Sequence, residues 1–392
     1  MKTRKLCRIP ISERELQLPK TQFVQIMKLA EEGKDIISLG PGEPDFDTPK
    51  HIRDFAKKQL DLGKTHYTPI GGLTDVKEAF AKKLKKENKI SVDPEKQVIV
   101  TVGAKESILL SMMALLDPGN SVVVPNPGYL AYIPIIESLN GKPISAQLKP
   151  EHNFEYDIES VKKQITNKTT ALILNSPSNP TGTVFSKKSL EEIADFAIEN
   201  CLIILSDEAY EKFVYDDAKH VSIGSLNGME NHVVSVFSFS KTYAMPGFRV
   251  GYAAGPPDII QAMVRLKLGT TLSTPTISQL AAKHAVESSQ QQVKYMLKEY
   301  SRRRKLICAR AREIGFDFRK PDGAFYLFPS IKRFGLSSVE FSRYILEKAK
   351  VLVVPGTEFG KYGEGFVRLS YATKYEKIEE AMGRVEKAVK GL

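Results

Sequence analysis

Residues 233–249 read VVSVFSFSKTYAMPGFR, an apolar run that leads into a serine, a lysine and finally an arginine. The run Val233–Phe239 is typical of a strand that is buried on both faces of a sheet. Helical patterns lie between several similar runs earlier in the chain. Those runs are Val98–Val102, Ser121–Val124, Ala171–Leu174 and Leu202–Leu205. Strands that alternate with helices predict an α/β fold with a mostly parallel central sheet and helices on both faces.

The pattern changes after about residue 288. A long polar helical stretch, Ser288–Ile314, precedes two short strand patterns, Ala324–Phe328 and Val367–Tyr371, and an amphipathic helix begins at Glu376. A chain of 392 residues exceeds one ordinary domain. We therefore predict a large domain over residues 45–287 and a smaller α+β domain made of residues 1–44 with 288–392.

Composition narrows the class of protein. The net charge is +11, but the positive residues are spread along the chain and no nucleic-acid-binding motif is present, so we expect no nucleic-acid partner. No apolar segment is long enough to cross a bilayer, and none follows the N-terminus as in a signal peptide. Cys7, Cys201 and Cys308 are far apart and have no metal-ligand spacing. We expect a cytoplasmic protein with free thiols and no bound metal.

Polar residues follow the predicted strands. Ligands of open α/β sheets bind beyond the carboxyl ends of the strands, so these residues form the candidate site. In chain order they are Gly103, Ala104, Lys105, Tyr129, Asn179, Asp207, Tyr210 and Lys241. The backbone amides at 103–105 begin a helix and suit an anion.

The chemistry of this set favours one cofactor. The six histidines all avoid the strand ends, so no Ser-His-Asp set is present. A lysine without a neighbouring histidine favours Schiff-base chemistry. A carboxylate suits a protonated pyridine nitrogen and an anion site suits a phosphate, so the residues together predict pyridoxal 5′-phosphate (PLP).

Three segments extend this argument to a family. The segment Ser238–Arg249, with Leu39–Phe46 and Phe366–Tyr371 near the two ends, resembles the fold type I PLP-dependent aminotransferases of class I/II. The resemblance covers nearly the whole chain and is strongest to the branch that holds prokaryotic aspartate aminotransferases. It implies PLP/PMP ping-pong transfer of an α-amino group from an amino acid, with aspartate favoured, to a 2-oxo acid such as 2-oxoglutarate.

The resemblance implies roles for the cofactor-binding residues. Lys241 would bind PLP covalently and carry the proton between the substrate and the cofactor. Asp207 would pair with the pyridine nitrogen, whose positive charge should keep this carboxylate ionised. Ser238 and Arg249, with the backbone of Gly103, Ala104 and Lys105, would hold the phosphate. The alternatives are a surface lysine at 241, a helix N-cap at Asp207 and a structural salt bridge at Arg249.

Further roles concern the cofactor ring and the second subunit. Tyr210 and Asn179 would bind the phenolate oxygen, and Tyr129 would stack on the ring. Tyr67, in His66-Tyr67-Thr68-Pro69, would reach the cofactor phosphate of the other subunit, which implies a homodimer. Asn179 could instead be only a turn residue, and Tyr129 only a core tyrosine.

The remaining roles concern the substrate. Arg368 would grip the α-carboxylate with two hydrogen bonds, assisted by Asn179 and the backbone of Gly40. Lys105 would reach a second carboxylate on the substrate, unless it is simply a solvent-facing lysine in a first helical turn. Other reactions stay open: a PLP-dependent β-lyase or decarboxylase, or an aminotransferase for aromatic amino acids, alanine or diaminopimelate. A DNA-binding regulator of the same fold would need an extra N-terminal domain, and only about forty residues precede the first motif.

Overall fold

The computed structural model describes Ser12 and residues 35–392 of the chain. The described strands are β1 (Ile37–Ser38), β2 (Val98–Thr101), β3 (Ser121–Asn126), β4 (Lys142–Gln147), β5 (Thr169–Asn175), β6 (Ile203–Asp207), β7 (Val233–Ser238), β8 (Gly251–Ala254), β9 (Tyr326–Leu327), β10 (Val351–Leu352), β11 (Val354–Pro355) and β12 (Val367–Ser370). The described α-helices are α1 (Lys50–Asp61), α2 (Thr74–Lys83), α3 (Pro94–Gln97), α4 (Ala104–Leu115), α5 (Tyr132–Ser138), α6 (Ile158–Lys162), α7 (Lys187–Glu199), α8 (Phe239–Thr242), α9 (Pro257–Leu268), α10 (Thr276–Glu287), α11 (Gln291–Ile314), α12 (Ser338–Ala349) and α13 (Tyr375–Val389). A π-helical turn, Leu84–Asn88, extends α2.

The central sheet has seven strands in the order β2-β8-β7-β6-β5-β3-β4. Only β8 runs against its neighbours, β2 and β7. The strand ends that the sequence pattern places at one edge therefore do meet there, which confirms the predicted mostly parallel sheet. The sequence patterns missed β4 and β8. The first is partly exposed, and the second, Gly-Tyr-Ala-Ala, has no β-branched residue to signal a strand.

Helices cover both faces of this sheet. Alternate residues of a strand point to opposite faces. Leu172 and Leu174 of β5 accordingly pack with α7, whereas Ile173 packs with α4 and α9. Because the inner strands of the sheet are buried on both sides, their sequences are largely apolar.

The C-terminal part has its own small sheets. Strands β11, β12 and β9 form an antiparallel sheet, and β1 pairs in parallel with β10. Residues 37–38 thus join the C-terminal part, although most of the predicted segment 1–44 lies outside the described residues. One buried apolar cluster runs from Phe80 and Tyr252 to Phe325 and Ile378, so the core is continuous between the two parts of the chain.

Two smaller findings concern the cysteines and the helices. Cys201 is exposed and Cys308 is buried, and both are free thiols. Cys7 lies outside the described residues. In residues 35–392, none of the helices has an apolar stretch sufficient to span a membrane.

Candidate active site

A cavity of about 350 Å³ lies beyond the carboxyl ends of the central strands. Nearly all the residues singled out in the sequence line it. They are Gly40, Ala104, Lys105, Tyr129, Asn179, Asp207, Tyr210, Ser238, Lys241, Arg249 and Arg368. Gly103 is outside the lining but lies against Arg249, which is part of it. Tyr67 is exposed on the surface outside the cavity.

Lys241 lies in the single-turn helix α8, directly after β7. Ser238 caps this turn, because its hydroxyl accepts a hydrogen bond from the Ser240 amide at 3.2 Å. The Lys241 amine points into the cavity and donates to Gly42 O at 2.5 Å. Burial lowers the pKa of Lys241 to about 8, and although Glu43 opposes the shift, Arg368 adds to it. A surface lysine, the alternative above, would not show this shift.

Asp207 ends the neighbouring strand, β6, and is only 5% exposed. Its carboxylate accepts hydrogen bonds from Tyr132 Oη at 2.7 Å and from the Ala209 amide at 3.2 Å. Burial raises the pKa of Asp207 above its usual value, although these two hydrogen bonds oppose the shift. The nearby Lys241 charge also opposes the shift without cancelling it. The N-cap alternative is wrong, because a turn and not a helix follows Asp207.

The groups predicted to hold a phosphate lie together. Gly103 precedes α4 with φ of 81°, and a Cβ there would lie 2.8 Å from Arg249 Nη2. The first amides of a helix have no partner within the helix and can bind an anion. Arg249 donates to Pro246 O at 2.9 Å and has no acidic partner among the described residues, contrary to the salt-bridge alternative. Ser238, Arg249 and the start of α4 are therefore suited to a phosphate.

The loop after β5 connects the two sides of the cavity. Asn175, the last residue of β5, accepts from the Asn179 amide at 2.8 Å and donates to Asp207 O at 3.0 Å. Asn179 in turn accepts from Arg368 Nη1 at 2.9 Å. Asn179 is therefore more than a turn residue.

Arg368 approaches from β12 and is 5% exposed. Its other terminal nitrogen, Nη2, donates to Gly40 O at 2.6 Å, and its Nε is buried with no partner among the described residues. Its guanidinium carbon lies 4.4 Å from the centre of the Tyr326 ring and 4.8 Å from that of Phe359. A buried, always charged fork at a cavity wall can bind a carboxylate.

Tyrosines form most of the remaining wall. Tyr129 is half-buried, and its ring meets Tyr132 edge-on at 5.4 Å. Burial raises the pKa of Tyr129 to about 12, with Asp207 as the next cause, so this phenol stays protonated. The hydroxyl oxygens of Tyr210 and Tyr326 lie 2.6 Å apart.

Sequence reasoning missed Tyr132, Tyr326 and Asn175. Tyr132 is three residues after Tyr129 in the same turn-to-helix segment, so helical spacing could have suggested it. Asn175 begins the Asn-Ser-Pro run, which could have been read as part of the same strand end. Tyr326 lies inside a predicted strand of the C-terminal part, and no local pattern connects it to the central sheet.

Among residues 35–392, one group of potential metal ligands lies outside the lining of the cavity. The ligand atoms of Glu208, Glu211 and His220 lie within 4.8 Å of one another. Glu211 is paired with the Lys83 ammonium, and His220 bonds Glu208 at 2.8 Å. The group is therefore an internally paired network.

The mostly parallel seven-stranded sheet with helices on both faces is the architecture of the PLP-dependent transferases of fold type I. The chain matches the class I and II aminotransferase family over residues 34–385 and belongs to it. It is 50% identical over 372 residues to an aspartate aminotransferase of Pyrococcus abyssi, a match that covers 94% of this chain and 96% of that one. It is 47% identical to aromatic-amino-acid aminotransferase 2 of Thermococcus litoralis, covering 97% and 98%.

Solved structures agree with this assignment. A crystal structure of an aromatic aminotransferase from Pyrococcus horikoshii is 48% identical, covers 93% of this chain and 99% of that one, and superposes with a TM-score of 0.90. The comparisons confirm the predicted family, the fold class and the aminotransferase activity.

Proposed function

We propose that this aminotransferase binds PLP through Lys241 and uses it to move an α-amino group from aspartate to a 2-oxo acid such as 2-oxoglutarate. The observation that carries the proposal is a partly buried lysine with a pKa near 8 that shares one cavity with a buried carboxylate, Asp207. Pyridoxal phosphate, when bound, supplies a carbonyl carbon that exchanges amino groups and a ring that withdraws electrons.

The residues would share the work as follows. Asp207 accepts the N–H of the pyridine ring, and Tyr132 and the Ala209 amide keep its carboxylate in place. Ser238, Arg249 and the amides of Gly103, Ala104 and Lys105 hold the phosphate. Tyr210 and Asn179 donate to the ring oxygen, and Tyr129 lies against the ring. The Lys241 amine, half neutral near pH 8, takes and returns the proton at the substrate α-carbon.

Substrate binding would fall to the opposite wall. Arg368 is held from two sides by Asn179 and Gly40 O, so its guanidinium is oriented before a substrate arrives. Its buried Nε and terminal nitrogens suit the α-carboxylate. Lys105 lines the same cavity with an exposed side chain and could meet a second carboxylate.

Aspartate is favoured as donor by Lys105 and by the name of the Pyrococcus abyssi relative. An aromatic donor is the second candidate. The Thermococcus litoralis and Pyrococcus horikoshii relatives carry that name, and Ile108, Tyr129 and Leu130 give the cavity an apolar side.

Two measurements test the proposal. Borohydride reduction of the loaded enzyme, followed by digestion and mass spectrometry, should find the pyridoxyl adduct on the Lys241 peptide. An unmodified Lys241 peptide after soaking in excess cofactor would overturn the assignment. Amino acids added one at a time should then bleach the cofactor absorbance for true donors only. Release of pyruvate and ammonia without a 2-oxo acid would indicate a β-lyase instead.

We also propose a homodimer in which Tyr67 reaches the other subunit's cofactor phosphate. Tyr67 is 86% exposed and does not line the cavity of its own chain. Four large apolar side chains near Tyr67 in sequence or near Thr276 are exposed as well: Leu60, Leu62, Leu268 and Leu272. The Thr276 hydroxyl donates a hydrogen bond to His66 O and so connects the segment of Leu268 and Leu272 with the segment of Tyr67. A mixture of Lys241→Ala and Tyr67→Ala protomers should regain activity, because one site of each hybrid would contain both wild-type residues. Two inactive parents that stay inactive after refolding together would contradict shared sites.

The domain division stays a proposal as well. Residues 45–287 carry the central sheet, whereas β1 and residues 288–392 carry the two small sheets. The cytoplasmic location remains a prediction from the sequence.

A further inference from the structure

Tyr326 is a cavity residue with no role in the argument so far. It lies in β9, is 0% exposed, and lines the cavity opposite the central sheet. We propose that Tyr326 is a positioning residue that orients both Tyr210, through its hydroxyl, and Arg368, through its ring. The proposal rests on the function proposed above, because that function assigns Tyr210 to the cofactor and Arg368 to the substrate.

The direction of the hydrogen bond follows from counting hydrogens. A tyrosine hydroxyl has one hydrogen to donate and can accept through its oxygen. If Tyr210 donated to Tyr326, it could not also donate into the cavity. Tyr326 Oη has no other hydrogen-bond partner in residues 35–392, and Gly42 closes its remaining side. The geometry allows either hydroxyl to donate, but with an acceptor of a ligand in the cavity both hydrogens are satisfied only if Tyr326 donates to Tyr210 and Tyr210 donates to the ligand.

Gly42 is part of the same arrangement. A Cβ at position 42 would collide with the Tyr326 hydroxyl and lie 3.2 Å from Cζ, so only glycine fits against this tyrosine. The carbonyl of Gly42 is also the acceptor for Lys241. The segment that holds the lysine amine therefore rests on the tyrosine that orients Tyr210.

The ring of Tyr326 acts on Arg368. Its centre lies 4.4 Å from the guanidinium carbon, within the range of a cation–π contact. Phe359 supports the guanidinium as well, at 4.8 Å. Arg368 thus keeps one orientation with its hydrogen-bonding edge toward Asn179 and Gly40.

Tyr326→Phe separates the two roles, because it removes the hydroxyl and keeps the ring. A donor hydroxyl is strengthened when its own oxygen accepts a hydrogen bond. Without Tyr326 the Tyr210 donor weakens, and the pH titration of the bound cofactor's visible absorbance should move up by about half a pH unit. We expect kcat/KM to fall about fivefold with KM nearly unchanged. Tyr326→Leu also removes the ring, and KM for the amino acid should rise about tenfold.

Tyr371→Phe is the matched control. Tyr371 is another fully buried tyrosine of the C-terminal part, and its hydroxyl donates to Ala324 O at 3.3 Å, away from the cavity. This variant should leave the cofactor titration unchanged. If Tyr326→Phe holds cofactor on Lys241 but titrates like the parent enzyme, the positioning role is wrong and the proposed function stands. If the parent forms no Lys241 adduct, both proposals fall.

A second test needs no activity measurement. Gly42→Ala should lower the melting temperature in the parent enzyme, where the new methyl group meets the Tyr326 hydroxyl. The same substitution should lower the melting temperature much less in the Tyr326→Phe background, where the hydroxyl oxygen is absent. Gly247→Ala is the control, since nothing lies within 4 Å of its Cβ position. An equal loss from Gly42→Ala in both backgrounds would overturn the proposed contact.

Discussion

The two walls of the cavity are built in different ways. The wall with Lys241, Asp207 and Ser238 belongs to consecutive strand ends of one sheet. The opposite wall contains Gly40, Tyr326 and Arg368. Gly40 is far from the other two residues in the sequence. The first wall lies within one sheet, whereas the second joins the small antiparallel sheet of Tyr326 and Arg368 to the separate segment of Gly40, through contacts such as Arg368 with Gly40 O.

This difference suggests a division of labour. A parallel sheet places its strand ends at one edge irrespective of side chains, so groups that must keep fixed positions around a cofactor are well placed there. A wall assembled from distant segments can move or vary without disturbing the sheet. Substitutions on the sheet wall should therefore affect cofactor chemistry. On the opposite wall, substitutions of Arg368 should affect substrate affinity, whereas the Tyr326 hydroxyl, which contacts Tyr210 of the sheet wall, is the exception.

The largest effect is expected at Lys241. Lys241→Ala removes the amine that binds cofactor and moves the proton, and transaminase activity should fall by about 10⁴-fold. Lys241→Arg keeps a positive charge and should be as inactive. Steady-state assays measure the transaminase activity of both variants, and circular dichroism checks that they are folded. An arginine variant that retains most of the activity would show that charge alone is needed.

Asp207→Asn should come next. The substitution keeps the shape but loses the charge that would hold a proton on the pyridine nitrogen, and kcat should fall by about 10²–10³-fold. Glu208→Gln is the control: this neighbouring carboxylate points to His220 and Ser206, away from the cavity. It should change thermal stability and leave the cofactor spectrum alone. Equal loss of kcat in both variants would contradict a special role for Asp207.

Arg368→Lys tests the opposite wall. Lysine keeps the charge but not the planar fork, so kcat/KM should fall by about 10–100-fold, chiefly through KM. Cofactor affinity and spectrum should stay as in the parent. A spectral change without a rise in KM would mean that Arg368 serves the cofactor instead of the substrate.

The pKa of Lys241 predicts the pH dependence of cofactor loading. Burial disfavours the ammonium, so the neutral amine appears near pH 8 instead of near 10.5. The rate at which cofactor-free enzyme takes up PLP should rise about tenfold from pH 7 to pH 9 and then level off. Glu43→Gln should move the inflection of this pH profile to lower pH, because the Glu43 charge raises the pKa of Lys241. Stopped-flow absorbance follows the reaction, and a rate that still rises steeply above pH 9 would contradict the lowered pKa.

Lys105→Met should give the smallest effect. Lys105 is exposed, so a contact with a distal carboxylate would contribute about 1 kcal/mol or less. The ratio of kcat/KM for aspartate to that for phenylalanine should therefore fall by about fivefold. Lys85→Met, on a solvent-facing helix surface, is the control. An unchanged ratio would leave Lys105 as a solvent-facing lysine.

Much of this protein could be predicted from its sequence alone. Apolar runs that alternate with helices indicate a parallel sheet, because such strands are buried on both faces. Once the sheet is known, the residues after each run share one edge, so the sequence determined that Lys241, Asp207 and Ser238 would meet. It also indicated that Arg368 belongs with them, through the family resemblance.

Only the tertiary structure decided the rest. The contact between Tyr326 and Tyr210 joins residues 116 positions apart, and no periodicity in the sequence relates them. The same holds for Gly42, which must be glycine because of a tyrosine that lies far along the chain. The pKa values of Lys241 and Asp207 also depend on burial, which a sequence does not contain. Local patterns determine where a strand ends, whereas packing determines what the end of that strand contacts.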